Sequence, residues 1–193
     1  KNKTNAIKAV NVNVFTDFRT WRKNKDFKNT VSFDRSLGGG VINELSHEVD
    51  YIVFLFGKPN HVKVNEILNQ DIQIDVEHHI KSVFWYKKLK LEITLEANML
   101  AKNNKRICEV ILDNTIIKLN HLLNNISMIG KKTKIIKFND DINMSYKKEI
   151  SHFFESIKKD VESELCFEKC IDTQNTLNAM HSSLKGNKKI RIQ

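Results

Sequence analysis

Between residues 61 and 138 the chain reads as strand after strand, and this meander constrains the fold more than any other feature. Segments 61–68, 71–76, 78–86, 89–100, 105–112, 115–123 and 134–138 are rich in β-branched, aromatic and leucine residues. Short polar breaks separate them, including Lys87-Lys88 and Asp113-Asn114 where hairpin turns are needed. Strands joined this tightly pair antiparallel, because a parallel pair requires a long crossover. A sheet this wide needs cover on at least one face, and the flanking segments carry helical periodicity. The expected architecture is therefore α+β: an open, mostly antiparallel β-sheet with helices packed on one face, formed by residues 1–193 as a single domain.

The flanks supply the remaining elements. Residues 6–16 alternate, with Val10, Val12 and Val14 on one side and Asn11 and Asn13 on the other, as a half-buried strand does. Residues 17–36 lack periodicity but hold Phe18, Trp21, Phe27 and Phe33, which suits a packed, functional loop. Residues 38–57 read as one helix between glycines, with Val41, Ile42, Leu45, Val49, Ile52, Val53 and Phe56 at helical spacing. Asn43, Glu44, His47, Asp50 and Tyr51 form a second, polar stripe on it. From Met144 the period returns to that of a helix, through Tyr146, Ile150, Phe153, Phe154, Ile157 and Val161. A last helix is expected over 171–184 and a short strand near Ile190 and Ile192. The pairs Trp85-Tyr86 and Phe153-Phe154 are expected in the core.

Several function classes are disfavoured. The net charge of +9 comes mostly from dispersed lysines, with only five arginines, which suits a solvated surface better than a nucleic-acid face. No apolar window approaches the length of a membrane helix. Cys108, Cys166 and Cys170 are too few and scattered for a disulfide framework or zinc site, which points to reduced thiols in the cytoplasm. The glycine triplet at 38–40 lacks dinucleotide-fingerprint spacing, and there is no P-loop. The polar residues Lys1 to Asn5 form no signal peptide, and the chain opens as though cut from something longer.

The chemistry concentrates in residues 38–51. On a helix, Glu44 and His47 are three apart, as are His47 and Asp50, so their side chains neighbour one another. A histidine beside carboxylates has the tautomer control and proton affinity that a general acid/base needs. The glycines before it allow a close backbone approach, to another strand or to a ligand. Residue chemistry alone fits equally a helix whose polar stripe faces water, and both readings stand at this point. No histidine pair has the spacing of a metal site, and no metal is expected.

The run from Phe18 to Val62 resembles the start of the C-terminal domain of the Gfo/Idh/MocA oxidoreductases, the glucose–fructose oxidoreductase and inositol dehydrogenase family. The matching elements are Trp21-Arg22 before Asp26-Phe27, the glycine triplet, an acidic residue, then S-H-E-x-D-Y over residues 46–51 and the Leu55-Phe56-Gly57 stop. The S-H-E-x-D-Y form resembles a branch tied to bacterial surface-polysaccharide or nonulosonic-acid sugar metabolism. The resemblance implies a fold like the C-terminal domain of glyceraldehyde-3-phosphate dehydrogenase. It also implies a separate N-terminal Rossmann domain that binds NAD or NADP, absent from this chain, so no cofactor binding is expected of the chain alone. It further implies an oxidoreductase acting on a sugar or nucleotide sugar, an open sheet face used for homo-oligomerisation, and an acid–histidine pair matching Glu44 and His47. Many members place an Asp four residues before the histidine; here a Glu stands three before it. Trp21, Arg22, Asn43, Asp50 and Tyr51 are the candidates for lining the sugar pocket, and Arg22 suits an anionic group. The competing reading is a non-catalytic scaffold that uses the sheet face as an interface.

Overall fold

The computed structural model describes residues 7–20, 26–68, 74–139, 142–163 and 166–193. Its elements are β1 (Ile7–Asp17), α1 (Val41–Glu44), α2 (Ser46–Phe56), β2 (His61–Glu66), β3 (His79–Tyr86), β4 (Leu91–Asn98), β5 (Leu100–Leu112), β6 (Ile116–Asn120), β7 (Asn125–Ile129), β8 (Thr133–Lys137), α3 (Ile142–Lys159), α4 (Phe167–Gly186) and β9 (Ile190–Arg191). The strands form one nine-stranded sheet in the order β8-β7-β6-β5-β1-β4-β3-β2-β9. Every pairing is antiparallel except β1 with β4, which runs parallel. The chain between β1 and β4 carries α1, α2 and the hairpin of β2 and β3, which supplies the crossover that a parallel pair requires.

The alternation of β1 sets the core. Val10, Val12 and Val14 are at most 3% exposed and face α1, α2 and α4 together with Ile93 and Leu95 of β4 and Ile80 and Phe84 of β3. On the opposite face Asn11 accepts a hydrogen bond from Thr94 Oγ1 at 2.8 Å, so that side is polar. The helices contribute Ile42, Val49, Ile52 and Met180 to the same core. Ser183 of α4 accepts the Val64 N–H at 2.9 Å and donates to the Lys188 carbonyl at 2.6 Å. Through these bonds α4 is tied to the sheet and its own C-terminal turn.

Five expectations are corrected, the last of them the core placement of Trp85. The helix expected over 38–57 is two helices broken at Leu45, whose φ of −111° and ψ of 28° leave helical geometry. Its two parts are anchored separately, α1 by the loop ahead of β3 and α2 by α4 and the core. The extended segment expected over 115–123 ends at Asn120. There the Asn120 side chain accepts the N–H groups of Leu122 and Leu123, Asn124 takes a left-handed conformation, and β7 follows. Of the strand expected over 71–76, residues 71–73 lie outside the described residues and 74–76 are irregular. Arg35 Nε donates to the Asp75 carbonyl at 2.6 Å, which ties this stretch to the glycine loop instead of to a neighbouring strand. Phe153 and Phe154 of α3 stand 57% and 62% exposed, because no other described element covers that side of the helix. Tyr86 is buried as expected, and Trp85 lies at the sheet surface with the Lys189 ammonium 3.6 Å from its ring centroid.

Candidate functional site

Two of the three glycines, Gly39 and Gly40, are packing devices. A side chain at Gly39 would collide with the backbone carbonyls of Val31 and Ser32, and one at Gly40 with the carboxylate of Glu77. Gly40 also has a φ of +118°, which L side chains rarely adopt. Glu77 is 2% exposed. Its carbonyl accepts the Val41 N–H at 2.8 Å and its carboxylate accepts the Ile42 N–H at 3.5 Å. A carboxylate at this end of a helix satisfies N–H groups left without partners and complements the helix dipole. Glu77 therefore fixes where α1 begins, and through it where Glu44 stands, whereas His47 is carried by α2.

Those two residues line one open cleft of about 320 Å³. Its floor is the sheet. Val14 pairs with Arg106 across β1 and β5, so both side chains share the face toward the helices. Thr16 and Asn104, two residues along each strand, join them in lining the cleft. The walls are Glu44, Leu45 and His47 on the helix side and Leu122 from the turn between β6 and β7. Glu44 also borders a second hollow of about 100 Å³, formed with Arg19, Thr30 and Ser32 and the rings of Phe18, Phe27 and Phe33. One carboxylate thus stands between an aromatic pocket and the histidine-lined cleft.

Beneath the cleft lies a buried polar layer. Glu48, the glutamate of S-H-E, is 0% exposed, and its Oε1 accepts from Arg106 Nε at 2.6 Å. The Tyr51 ring lies 5.8 Å from that of His121. Burial pushes the Tyr51 hydroxyl well above its ordinary pKa, with Cys108 and Glu48 adding to the effect and Arg106 opposing it. Burial, then Arg106, lowers the His121 pKa, and burial with Glu109 raises the Cys108 thiol to about 11. At neutral pH these three groups are uncharged, which suits a structural layer and not a nucleophile.

The other expected site residues divide. Tyr51 belongs to this buried layer, on the sheet side of α2. Asn43 donates to the Gly38 carbonyl at 2.8 Å and pairs with His181 Nε2 at 2.8 Å, so it links the glycine loop to α4. Asp50 accepts from Thr173 Oγ1 at 2.9 Å and borders a different hollow, with Phe167 and Ile171. Trp21 and Arg22 lie outside the described residues. The structure thus brings Glu44 and His47 together and leaves Asn43 and Asp50 elsewhere. Reading the sequence passed over Thr16, Glu48, Asn104 and Arg106. Their one local sign was an arginine opening an apolar strand; the rest depends on strand register. Among the described residues, Glu162, Cys166 and Glu168 bring three potential ligand atoms within 4.8 Å, on a surface that shares no residue with the cleft.

Comparison with known proteins places this geometry. Residues 5–192 match the family described as "Oxidoreductase family, C-terminal alpha/beta domain" of the Gfo/Idh/MocA proteins. Among curated proteins, none matches the sequence. Among solved structures, a levoglucosan dehydrogenase in complex with NADH and levoglucosan superposes with a TM-score of 0.79 at 14% identity, over 97% of this chain and 59% of that one. UDP-N-acetylglucosamine 3-dehydrogenase GnnA from Acidithiobacillus ferrooxidans gives 0.73 at 12% identity, over 94% and 55%. An NAD binding oxidoreductase from Klebsiella pneumoniae gives 0.81 at 12%, over 96% and 58%. At these identities the structures share the fold, and this chain spans between 55% and 59% of their length. With the family matched over nearly its whole length, the chain belongs to the Gfo/Idh/MocA oxidoreductase family and is a C-terminal α/β domain of that family.

Proposed function

We propose that this domain handles the substrate in an NAD(P)-dependent oxidoreductase acting on a hydroxyl or carbonyl of a sugar or nucleotide sugar, with His47 as the proton carrier. The observation that supports it is the cleft in which His47 and Glu44 meet on a floor of hydrogen-bonding side chains. In the oxidative direction His47 takes the substrate hydroxyl proton, and it returns that proton in the reverse direction. Glu44 borders the same space and places a hydrogen-bond acceptor beside the bound sugar. Thr16 and Asn104 orient sugar hydroxyls through neutral hydrogen bonds.

The nicotinamide would supply the hydride chemistry. The described residues do not fit such a group: the space at the glycine loop that a pyrophosphate would need is filled by Glu77 and the Val31–Ser32 backbone. We therefore assign the cofactor to a separate Rossmann domain of the complete, cytoplasmic protein. The cytoplasmic assignment is supported by the three free cysteines. Among the described residues no helix is long and apolar enough to cross a membrane. We also assign homo-oligomerisation to the open sheet face, where Ile111, Ile116 and Ile129 form a cross-strand row away from the helices.

The test is turnover of the complete protein. His47→Ala is expected to lower it by at least ~100-fold, the usual scale for losing a general acid/base. Turnover within a few-fold of the parent would remove His47 from that role. It would then favour the second reading, a scaffold that keeps the fold and uses the exposed sheet face.

A further inference from the structure

Glu48 poses a physical question that proton transfer does not answer. A fully buried carboxylate is costly unless paired, and for stability alone a well-packed apolar residue serves as well. Its Oε1 is paired with Arg106, whereas its buried Oε2 has no hydrogen-bond partner among the described residues. What this pair achieves is orientation. The bond is made through Nε, which fixes the guanidinium plane. The two terminal nitrogens of Arg106 make no hydrogen bond among the described residues, and the side chain, 38% exposed, lines the cleft that holds His47. An arginine with a fixed plane and free terminal nitrogens matches the two oxygens of a carboxylate or phosphate.

We propose that Arg106, held in place by Glu48, is the anion-recognising residue of the cleft, and that the substrate carries a carboxylate or phosphate group on or beside the sugar ring. This rests on reading the cleft as the substrate site. Its volume suits a sugar ring with its substituents, so an anion bound at Arg106 belongs to the same small molecule whose hydroxyl faces His47. Lys105 and Phe15 also border the cleft, but the Lys105 ammonium is engaged 5.5 Å from the Phe15 ring centroid and offers a point charge without the paired fork of a guanidinium. Glu48 offsets the charge of Arg106, and Glu44 adds a carboxylate to the wall. Selectivity therefore comes from the paired geometry of the guanidinium and not from net charge. Glu48 is a positioning residue here, acting through Arg106.

The experiment is calorimetric titration of the complete protein with glucose, glucuronate, glucose 6-phosphate and UDP. At least one anion is expected to bind tenfold or more tightly than glucose. Preference for glucuronate assigns a carboxylate, and preference for glucose 6-phosphate or UDP assigns a phosphate. Arg106→Gln is expected to cut that anion-to-glucose ratio about tenfold, in line with losing a charge-assisted hydrogen-bond pair. Arg106→Lys keeps the charge without the fork and is expected to recover only part of the ratio; it also serves if the glutamine variant does not fold. Equal affinity for glucose and all three anions, or a ratio unmoved by both substitutions, overturns the proposal. The same titrations in His47→Ala protein separate the two readings, since binding needs no proton transfer. Unchanged turnover in that variant removes the proton carrier, while the Arg106 ratio still decides the anion site.

Discussion

At one end of the sheet β1 to β4 lie under α1, α2 and α4; at the other, no helix packs closely on β6 to β8 among the described residues. Both ends alternate apolar and polar residues. At the covered end, Val12, Ile80, Phe84 and Leu95 are each at most 1% exposed. Toward the other end, Met128, Ile129 and Ile136 are 38–40% exposed and Ile135 is 56% exposed. The pairings carry the helix-side face of Val12 through Cys108, Leu119 and Ile126 to Ile136, so one row of side chains passes from core to surface. Alternation therefore specifies a face, and only a neighbouring element decides whether that face is dry. The cleft sits where cover gives out, at the end of α1, beside Arg106 and the turn after β6. A site at that boundary has rigid strands beneath it and access from solvent.

The comparison is broken or sharpened by substitution at each end. The largest effect is expected at the covered end. Phe84→Ala, which removes a ring that is 0% exposed, should cost about 3–5 kcal/mol in denaturant unfolding. A loss below about 1 kcal/mol would mean that this end is not the core. At the uncovered end Ile129→Lys places a charge in the open-face row with Ile111 and Ile116. Its effect on folding should be small, within about 0.5 kcal/mol as for exposed positions. If that face joins copies of the chain, light scattering will show a lower mass for this variant. An unchanged mass would move the interface elsewhere.

Much of the fold was legible because burial at the covered end follows local periodicity. Val10, Val12 and Val14 announced β1, and Ile52 and Val53 announced α2. The break at Leu45 was not legible, since a leucine there fits a continuous apolar stripe; Glu77, far along the chain, sets the start of α1. The parallel pairing of β1 with β4 has no local signature either. In the candidate site, Glu44 and His47 stand on two separate helices either side of Leu45, so their three-residue spacing on one helix is not what places both beside the cleft. Asn43 and Asp50 share the polar stripe by spacing but are engaged by His181 and Thr173 of α4, partners that only tertiary structure reveals. Arg106 and Glu48 are 58 residues apart and meet through strand register. The apolar side of α3 was visible as a pattern, but the pattern did not state what, if anything, covers it.

The central claim is that His47 meets a sugar oxygen in the cleft between α1, α2 and the β1–β5 floor. A crystal structure of the complete protein with a bound substrate sugar tests it most directly. The account predicts a sugar hydroxyl or carbonyl oxygen about 2.6–3.2 Å from an imidazole nitrogen of His47, the reach of a general acid/base. A sugar seated elsewhere, with the His47 ring turned to solvent, would contradict it.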